Sequence, residues 1–386
     1  MTERLAALLH EEAAALDIPP VDHAAILRRG RHASGRRRAT AFLAAAAVVV
    51  AGGTGAALAL TGSDSPDRDG RATDSVAGEG PAHGVVAYGA DSTVVVDGAS
   101  ATIPDTLHSL HYTSVGVLTR SNPNDGASSG SGPETLTLVA TDGTTTDLGT
   151  IPEGVGPATD PDEPVYALAE KSGNGFRAVV RDALTGDEVG SVPLPDLPRS
   201  YWSVPPLALD GDVVYAGFEN EAVAFDWRTG EEQPTEGLDG GIPDVRGGLA
   251  LASGEKLVDG RLEMVVSVVD AATGASALVV PLEDGEYGFG SLSPDGRFLR
   301  FTSETDPDPK GDFVEPTGVD VYDVDTGDRV TLEGDPYSWG WTSAGSALLV
   351  SGAKVQVCDP ATGSCESETG PDVGRNLKVG GRTYES

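Results

Sequence analysis

Short runs in which apolar and polar residues alternate fill most of the chain after about residue 84. Many of these runs end in the same five-residue pattern. Ala178-Val-Val, Ala222-Val-Ala-Phe, Val265-Val-Ser-Val-Val, Val319-Asp-Val-Tyr and Val355-Gln-Val each lead into Asp-x-x-Thr-Gly. The copies run from Asp182 to Gly186, Asp226 to Gly230, Asp270 to Gly274, Asp323 to Gly327 and Asp359 to Gly363. Their aspartates are 44, 44, 53 and 36 residues apart. Alternation with period two is the mark of a strand with one buried face. The repeated motif has the chemistry of a hairpin turn. Asp accepts hydrogen bonds from backbone N–H groups two residues on, Thr reinforces the turn, and Gly supplies the positive φ that closes it. The ten Asp and Gly residues are therefore structural. A repeat of this length built from short strands predicts an all-β fold, a β-propeller of seven four-stranded blades.

The blades are expected at 85–103, 107–151, 156–194, 201–238, 240–282, 287–332 and 337–368. A tail strand within 377–384 is expected to join the first unit and close the ring, because an open ring leaves unpaired strand edges.

Residues before the propeller follow a different pattern. Leu5, Leu8, Leu9 and Leu16 fall on one face of a helix opposite Glu11 and Glu12, and Pro19-Pro20 ends it. A second helical stretch over 21–29 leads into six arginines, Arg28, Arg29, Arg31, Arg36, Arg37 and Arg38. Residues 41–60 then contain no charge. Twenty helical residues span about 30 Å, the thickness of a bilayer core. Arginines just before the span place the amino terminus in the cytoplasm. Ala57-Leu58-Ala59 resembles a signal-peptidase site, but the segment before the apolar run is too long for an ordinary signal peptide. Arg37-Arg38 resembles a twin-arginine signal, with Phe42-Leu43 two residues too far along. The expected order is a cytoplasmic helical and basic segment (1–38), a transmembrane helix (39–61), a disordered linker (62–81) and an extracytoplasmic propeller (82–386).

Charge supports this division. The net charge is −34. Residues 1–38 hold seven Arg against five acidic residues, so the remainder carries −36. Such a domain lacks the basic face that nucleic acids require, and no nucleic-acid partner is expected. The lipid bilayer is the expected partner of residues 41–60. The only cysteines, Cys358 and Cys365, flank the turn of the last repeat and face each other across a hairpin, which predicts a disulfide. A disulfide outside the membrane, with no cysteine inside, fits an oxidising compartment.

Ser293-Pro-Asp-Gly-Arg297, followed by Phe298-Leu-Arg-Phe, resembles the Ser-Pro-Asp-Gly repeat of TolB-like and WD40-like bacterial propellers. Trp341-Thr-Ser-Ala-Gly345 and the run Leu209 to Tyr215 are degenerate copies. The Asp-x-x-Thr-Gly turns are similar to the PQQ-like propeller repeat. That repeat places a Trp after the Gly to dock neighbouring blades. None of the five copies here has one, and no cofactor is expected. The arrangement of a short helical segment before a single span resembles membrane anti-sigma factors. The zinc-binding version needs a His and Cys cluster, and residues 1–38 have no Cys.

Sites of chemistry are few. Gly126-Ala-Ser-Ser-Gly130 has the letters of a nucleophile elbow without the strand and helix that motif needs. His108 and His111 would point to opposite faces of a strand. Asp306 to Asp312 has acidic spacing like that of a calcium loop, with Lys310 at the third ligand place. Trp339 and Trp341 share a face and read as blade core. No catalytic, cofactor or metal residues emerge. The expected role is a non-catalytic binding or scaffold propeller at the cell envelope, engaging a protein or small ligand. One alternative is transmembrane signalling, with residues 1–38 meeting a cytoplasmic regulator such as a sigma factor. A second is an envelope enzyme, a lyase or glycosidase, with carboxylates in the channel.

Overall fold

The computed structural model describes residues 83–382, apart from 125–131, 198–202, 239, 242–243, 259–260, 283–285, 306–315 and 375. The expected amino-terminal helices, membrane span and linker lie outside the described residues, as do Gly126 to Gly130 and Asp306 to Asp312. No helix among the described residues is long and apolar enough to cross a membrane.

Seven four-stranded antiparallel sheets make up the structure. The first blade holds β1 (Ala87–Ala90), β2 (Thr93–Val96) and β3 (Ala99–Thr102). The second is β4 (Thr106–Thr113), β5 (Gly116–Asn122), β6 (Glu134–Val139) and β7 (Thr145–Ile151). The third is β8 (Ala158–Thr159), β9 (Val165–Ser172), β10 (Gly175–Asp182) and β11 (Glu188–Pro193). The fourth is β12 (Leu207–Asp210), β13 (Val213–Gly217), β14 (Ala222–Asp226) and β15 (Glu232–Gln233). The fifth is β16 (Val245–Arg246), β17 (Leu249–Val258), β18 (Arg261–Asp270) and β19 (Ser276–Pro281). The sixth is β20 (Glu286–Leu292), β21 (Phe298–Thr305), β22 (Gly318–Asp323) and β23 (Arg329–Glu333). The seventh is β24 (Trp339–Trp341), β25 (Ala347–Ser351), β26 (Lys354–Cys358) and β27 (Cys365–Thr369). The fourth strand of the first blade comes from the far end of the chain. It is β28 (Lys378–Val379), with Val379 opposite Tyr88 and Lys378 opposite Gly89. In the second to seventh blades the first strand is innermost, and in the first blade that place belongs to β28, which lies against β4 and β24. This is the seven-bladed propeller that the repeat spacing predicts, with the expected closing strand.

The Asp-x-x-Thr-Gly copies join the third and fourth strands of the last five blades. At Asp182, Oδ1 accepts from the N–H groups of Leu184 and Thr185 at 2.8 and 2.9 Å, and Gly186 N–H returns to the Asp182 carbonyl at 2.9 Å. Asp226, Asp270 and Asp323 make the same bonds, and Asp359 accepts from Ala361 N–H at 2.8 Å. The closing glycines Gly186, Gly230, Gly274, Gly327 and Gly363 all have φ between 68° and 77°, which an L side chain rarely adopts. In the last copy, Cys358 and Cys365 are direct cross-strand partners and form a disulfide.

Burial is not concentrated at one centre. Among the described residues, seven apolar clusters lie between successive blades. Alternation along a radial strand sends side chains to both faces of each blade, so every blade is a wall of two wedges. Trp339 and Trp341 fill the wedge between blades six and seven. The residue after the motif Asp docks on the preceding blade: Ala183, Trp227, Ala271 and Val324 are all buried. At Trp227 the fit depends on Gly190 in β11, where an added Cβ would stand 2.7 Å from the indole ring. A methyl group there has to displace either the ring or the backbone. Gly190→Ala is expected to destabilise the propeller by about 1–3 kcal/mol, as overpacking does. Urea denaturation checks this, and a Gly190→Ala/Trp227→Phe pair is expected to recover part of the loss.

Candidate functional site

Each junction between blades carries a polar tie near the inner strands. Val85 N–H donates to Ser343 Oγ at 2.8 Å, joining the seventh blade to the first. Ala87 N–H donates to the Tyr112 hydroxyl oxygen at 3.1 Å, joining the first to the second. Ser114 N–H donates to the Glu163 carbonyl at 3.0 Å. Asp160 accepts from Gly211 N–H at 2.6 Å, and Asp210 accepts from Gly247 and Gly248 at 2.9 and 2.8 Å. Buried Asp244 accepts from Leu292 N–H at 3.2 Å. Arg300 donates to the Trp339 carbonyl at 2.6 Å. Most of these partners lie along the inner strands or in the turns that follow them, while Ala87 and Arg300 lie on the second strands β1 and β21.

Beside these ties lies a cavity of about 20 Å³, lined by His111, Tyr112, Thr159, Arg246, Leu292 and Arg382 among others. That is room for about one water molecule. Arg246 spans three blades. Its Nη1 donates to the carbonyls of Thr159, Leu209 and Val245 at 3.0, 3.2 and 3.4 Å. These carbonyls sit on the free edges of inner strands, which lack a further strand to pair with. One guanidinium satisfies three of them. The His111 Nε2 lies 2.9 Å from Ser109 Oγ. Burial lowers the His111 imidazole to about 3, helped by the charges of Arg120, Arg246 and His108, so the ring is neutral. A neutral His beside a Ser has the form of a base–nucleophile pair. Ser109 is completely buried, however, so its hydroxyl cannot meet a substrate.

The second blade hides a charged cluster beside the channel wall. Glu134 opens β6 and is fully buried. It accepts from Arg120 Nε at 2.7 Å and from Arg120 Nη2 at 2.5 Å, lies 2.9 Å from His108 Nδ1, and accepts from Asn122 at 3.4 Å. Burial pushes the Glu134 carboxyl up. The hydrogen bond from His108 and the charge of Arg120 outweigh it and hold the carboxyl below its ordinary value. His108 sits where β4 shifts register between Leu107 and Ser109, so the two histidines reach different partners and share no ligand site. No group of three or more His, Cys, Asp or Glu residues among the described residues could hold a metal ion. Arg300, also buried, is satisfied by the Trp339 carbonyl and by Ser291 Oγ, which in turn accepts from Trp341 Nε1 at 3.1 Å. Burial lowers its guanidinium to about 9, with Arg382 adding to the effect.

The Asp and Gly residues of the repeat turns lie between the third and fourth strands, away from the inner strands that ring the channel, and the disulfide joins the outer two strands of the seventh blade. The channel residues were not found from sequence. Arg120, Arg246 and Arg300 are charges inside or beside apolar strand runs, and that interruption is the only signal they leave. An open groove of about 560 Å³ between blades six and seven is lined mainly by polar groups, including Glu333, Ser351, Lys354 and Gln356.

The chain is thus a seven-bladed β-propeller of four-stranded blades. Solved structures similar to it include the propeller domain of Cps50 (Swd1) from Myceliophteria thermophila, 15% identical, TM-score 0.43, covering 73% of this chain and 92% of that one. A putative TolB from Agrobacterium tumefaciens is 15% identical with a TM-score of 0.39, covering 68% of this chain and 94% of that one. Hydrazine synthase of Kuenenia stuttgartiensis is 16% identical with a TM-score of 0.41, covering 66% of this chain and 76% of that one. Likenesses of this degree say nothing about activity. No family model and no curated protein matches the sequence.

Two acid responses follow, and the His111 response begins at the higher pH. His111 stays neutral in the fold while the unfolded chain takes up a proton below about 6.5, so its contribution to stability is lost as pH falls from 6.5 towards 3. Glu134 stays ionised in the fold, and its contribution is lost as pH falls below the unfolded value of 4.5. Denaturant titrations across pH are expected to show a shallower decline between pH 6.5 and 4.5 in His111→Gln. Glu134→Gln is expected to cost about 3–5 kcal/mol at neutral pH, because it leaves Arg120 buried without a counter-charge. Its difference from the wild type is expected to shrink once pH falls below the folded value of Glu134.

Proposed function

We propose that this chain is a single-pass membrane protein whose propeller lies outside the cytoplasm and acts as a non-catalytic binding scaffold. The observation that carries this reading is the disulfide between Cys358 and Cys365. Such bonds persist where the surroundings are oxidising. The uncharged stretch 41–60 behind six arginines supplies the anchor. Support for a non-catalytic role comes from the channel. Its titratable groups are engaged with the protein itself: Arg246 with three carbonyls, Glu134 with Arg120 and His108, and Arg300 with Trp339 and Ser291. The propeller then offers its outer surfaces to a partner, and the channel serves as its mechanical hub.

Membrane-impermeant maleimide labelling tests the topology. In intact cells Ser75→Cys is expected to label, and Ala7→Cys to label only after lysis. Labelling of both sites, or of neither, before lysis overturns the anchor. Affinity capture from solubilised membranes tests the role. The full chain and a form lacking residues 2–34 are expected to retain the same envelope partners. Loss of a cytoplasmic regulator with the truncation would instead favour signalling through the Leu5, Leu8, Leu9 and Leu16 face.

A further inference from the structure

Six large apolar side chains among the described residues are markedly exposed, and two of them are neighbours. Phe289 and Tyr337 are 40% and 50% exposed. Their ring centroids are 6.3 Å apart, with the planes inclined by 30°. Phe289 lies on β20, three residues before Leu292, and Tyr337 lies in the 3₁₀ turn Pro336–Ser338 just before β24. Both therefore stand towards the channel mouth opposite the turns that follow the inner strands.

Phe289 stands on the face of β20 opposite Gly288 and Gly290. That other face is tightly packed: a Cβ on Gly288 would stand 2.2 Å from the Phe301 ring, and one on Gly290 would meet the Arg300 carbonyl at 2.8 Å. Tyr337 is held at three points. Its N–H donates to Asp335 at 3.1 Å, its carbonyl accepts from Arg382 at 3.0 Å, and its hydroxyl donates to Glu304. Two rigid rings in water thus carry a carboxylate at their edge.

Aromatic faces attract cations, and a neighbouring carboxylate adds to that attraction. Arg382 Nη1 donates to the Tyr337 main-chain carbonyl. The long-range field favours the same occupant, since the chain carries a net charge of −34 and draws basic partners to its surface. We propose that Phe289, Tyr337 and Glu304 form a receptor for a lysine or arginine side chain on a basic segment of a partner protein. The proposal deepens the binding-scaffold reading and rests on it.

The test uses the full chain purified in detergent, with fluorescent tetralysine as probe and tetraglutamate as control. The wild type is expected to bind tetralysine saturably and tetraglutamate not at all. Phe289→Ala/Tyr337→Ala is expected to weaken tetralysine binding about tenfold, and Glu304→Gln by a smaller factor. Leu184→Ala, which removes another exposed apolar side chain, is expected to leave binding unchanged. Phe289→Leu keeps the apolar area without the ring face, so it reads the aromatic contribution even if the double variant fails to fold. Saturable binding absent from the wild type, or a Phe289→Leu affinity equal to the wild type, overturns the proposal. That failure is separable from failure of the scaffold reading, because a defined peptide reports only on this pair, while membrane capture and labelling report on the reading itself.

Discussion

Ring closure is the constraint on which the rest of this structure depends. Each blade has two apolar faces and cannot hide both by itself, so stability exists only when every blade has two neighbours. The first blade is completed by β28 from the other end of the chain. Without that strand, the inner edge of β1 would stand unpaired, and the wedge holding Tyr88, Leu348 and Val379 would lose one wall. Closure therefore couples residues nearly three hundred positions apart. It turns seven local folding problems into a single one.

The wedges provide most of the burial, but apolar contact is not directional and does not fix how far one blade slides past the next. The polar ties do that. Carboxylates of Asp160, Asp210 and Asp244 each accept backbone N–H groups of the following blade. Arg246 and Arg300 do the reverse, donating to carbonyls of other inner strands. Inner strands have one edge with no further strand beside it, and these charged side chains supply the missing partners. An acidic chain thus keeps Arg246 and Arg300 near its centre, where they satisfy backbone carbonyls.

Much of this architecture was legible because turns are local. The Asp-x-x-Thr-Gly bonds form within five residues, so each copy announces itself in sequence and marks one hairpin. Ser293-Pro-Asp-Gly is equally local: Ser293 Oγ bonds Asp295 and receives Phe298 N–H, which makes the turn that feeds β21. Trp339 and Trp341 were readable as core from alternation alone. The channel was not legible. His108, Arg120 and Glu134 come from three different strands, and no spacing links them until the sheet forms. Trp227 was hidden in another way. It lies inside a repeat turn, one residue after the Asp, whereas the comparable docking Trp of the similar repeat follows the Gly. Its partner, Gly190, belongs to the preceding blade, beyond the reach of any local pattern.

The manner in which the propeller's leading residues join the ring has a mechanical consequence. Val85 is pinned to Ser343 through two hydrogen bonds, one in each direction, before the chain reaches β1. Behind this latch, β1 and β28 share only a short ladder, with Gly380 adding one more bond to Ala87. Tension applied from the amino-terminal side would load the latch first and the two-residue ladder next, before it reached the other blades. The seam where the circle is fastened is thus also where such a pull arrives first. A steady pull would begin to open the ring there, at the first blade, with the other six still closed.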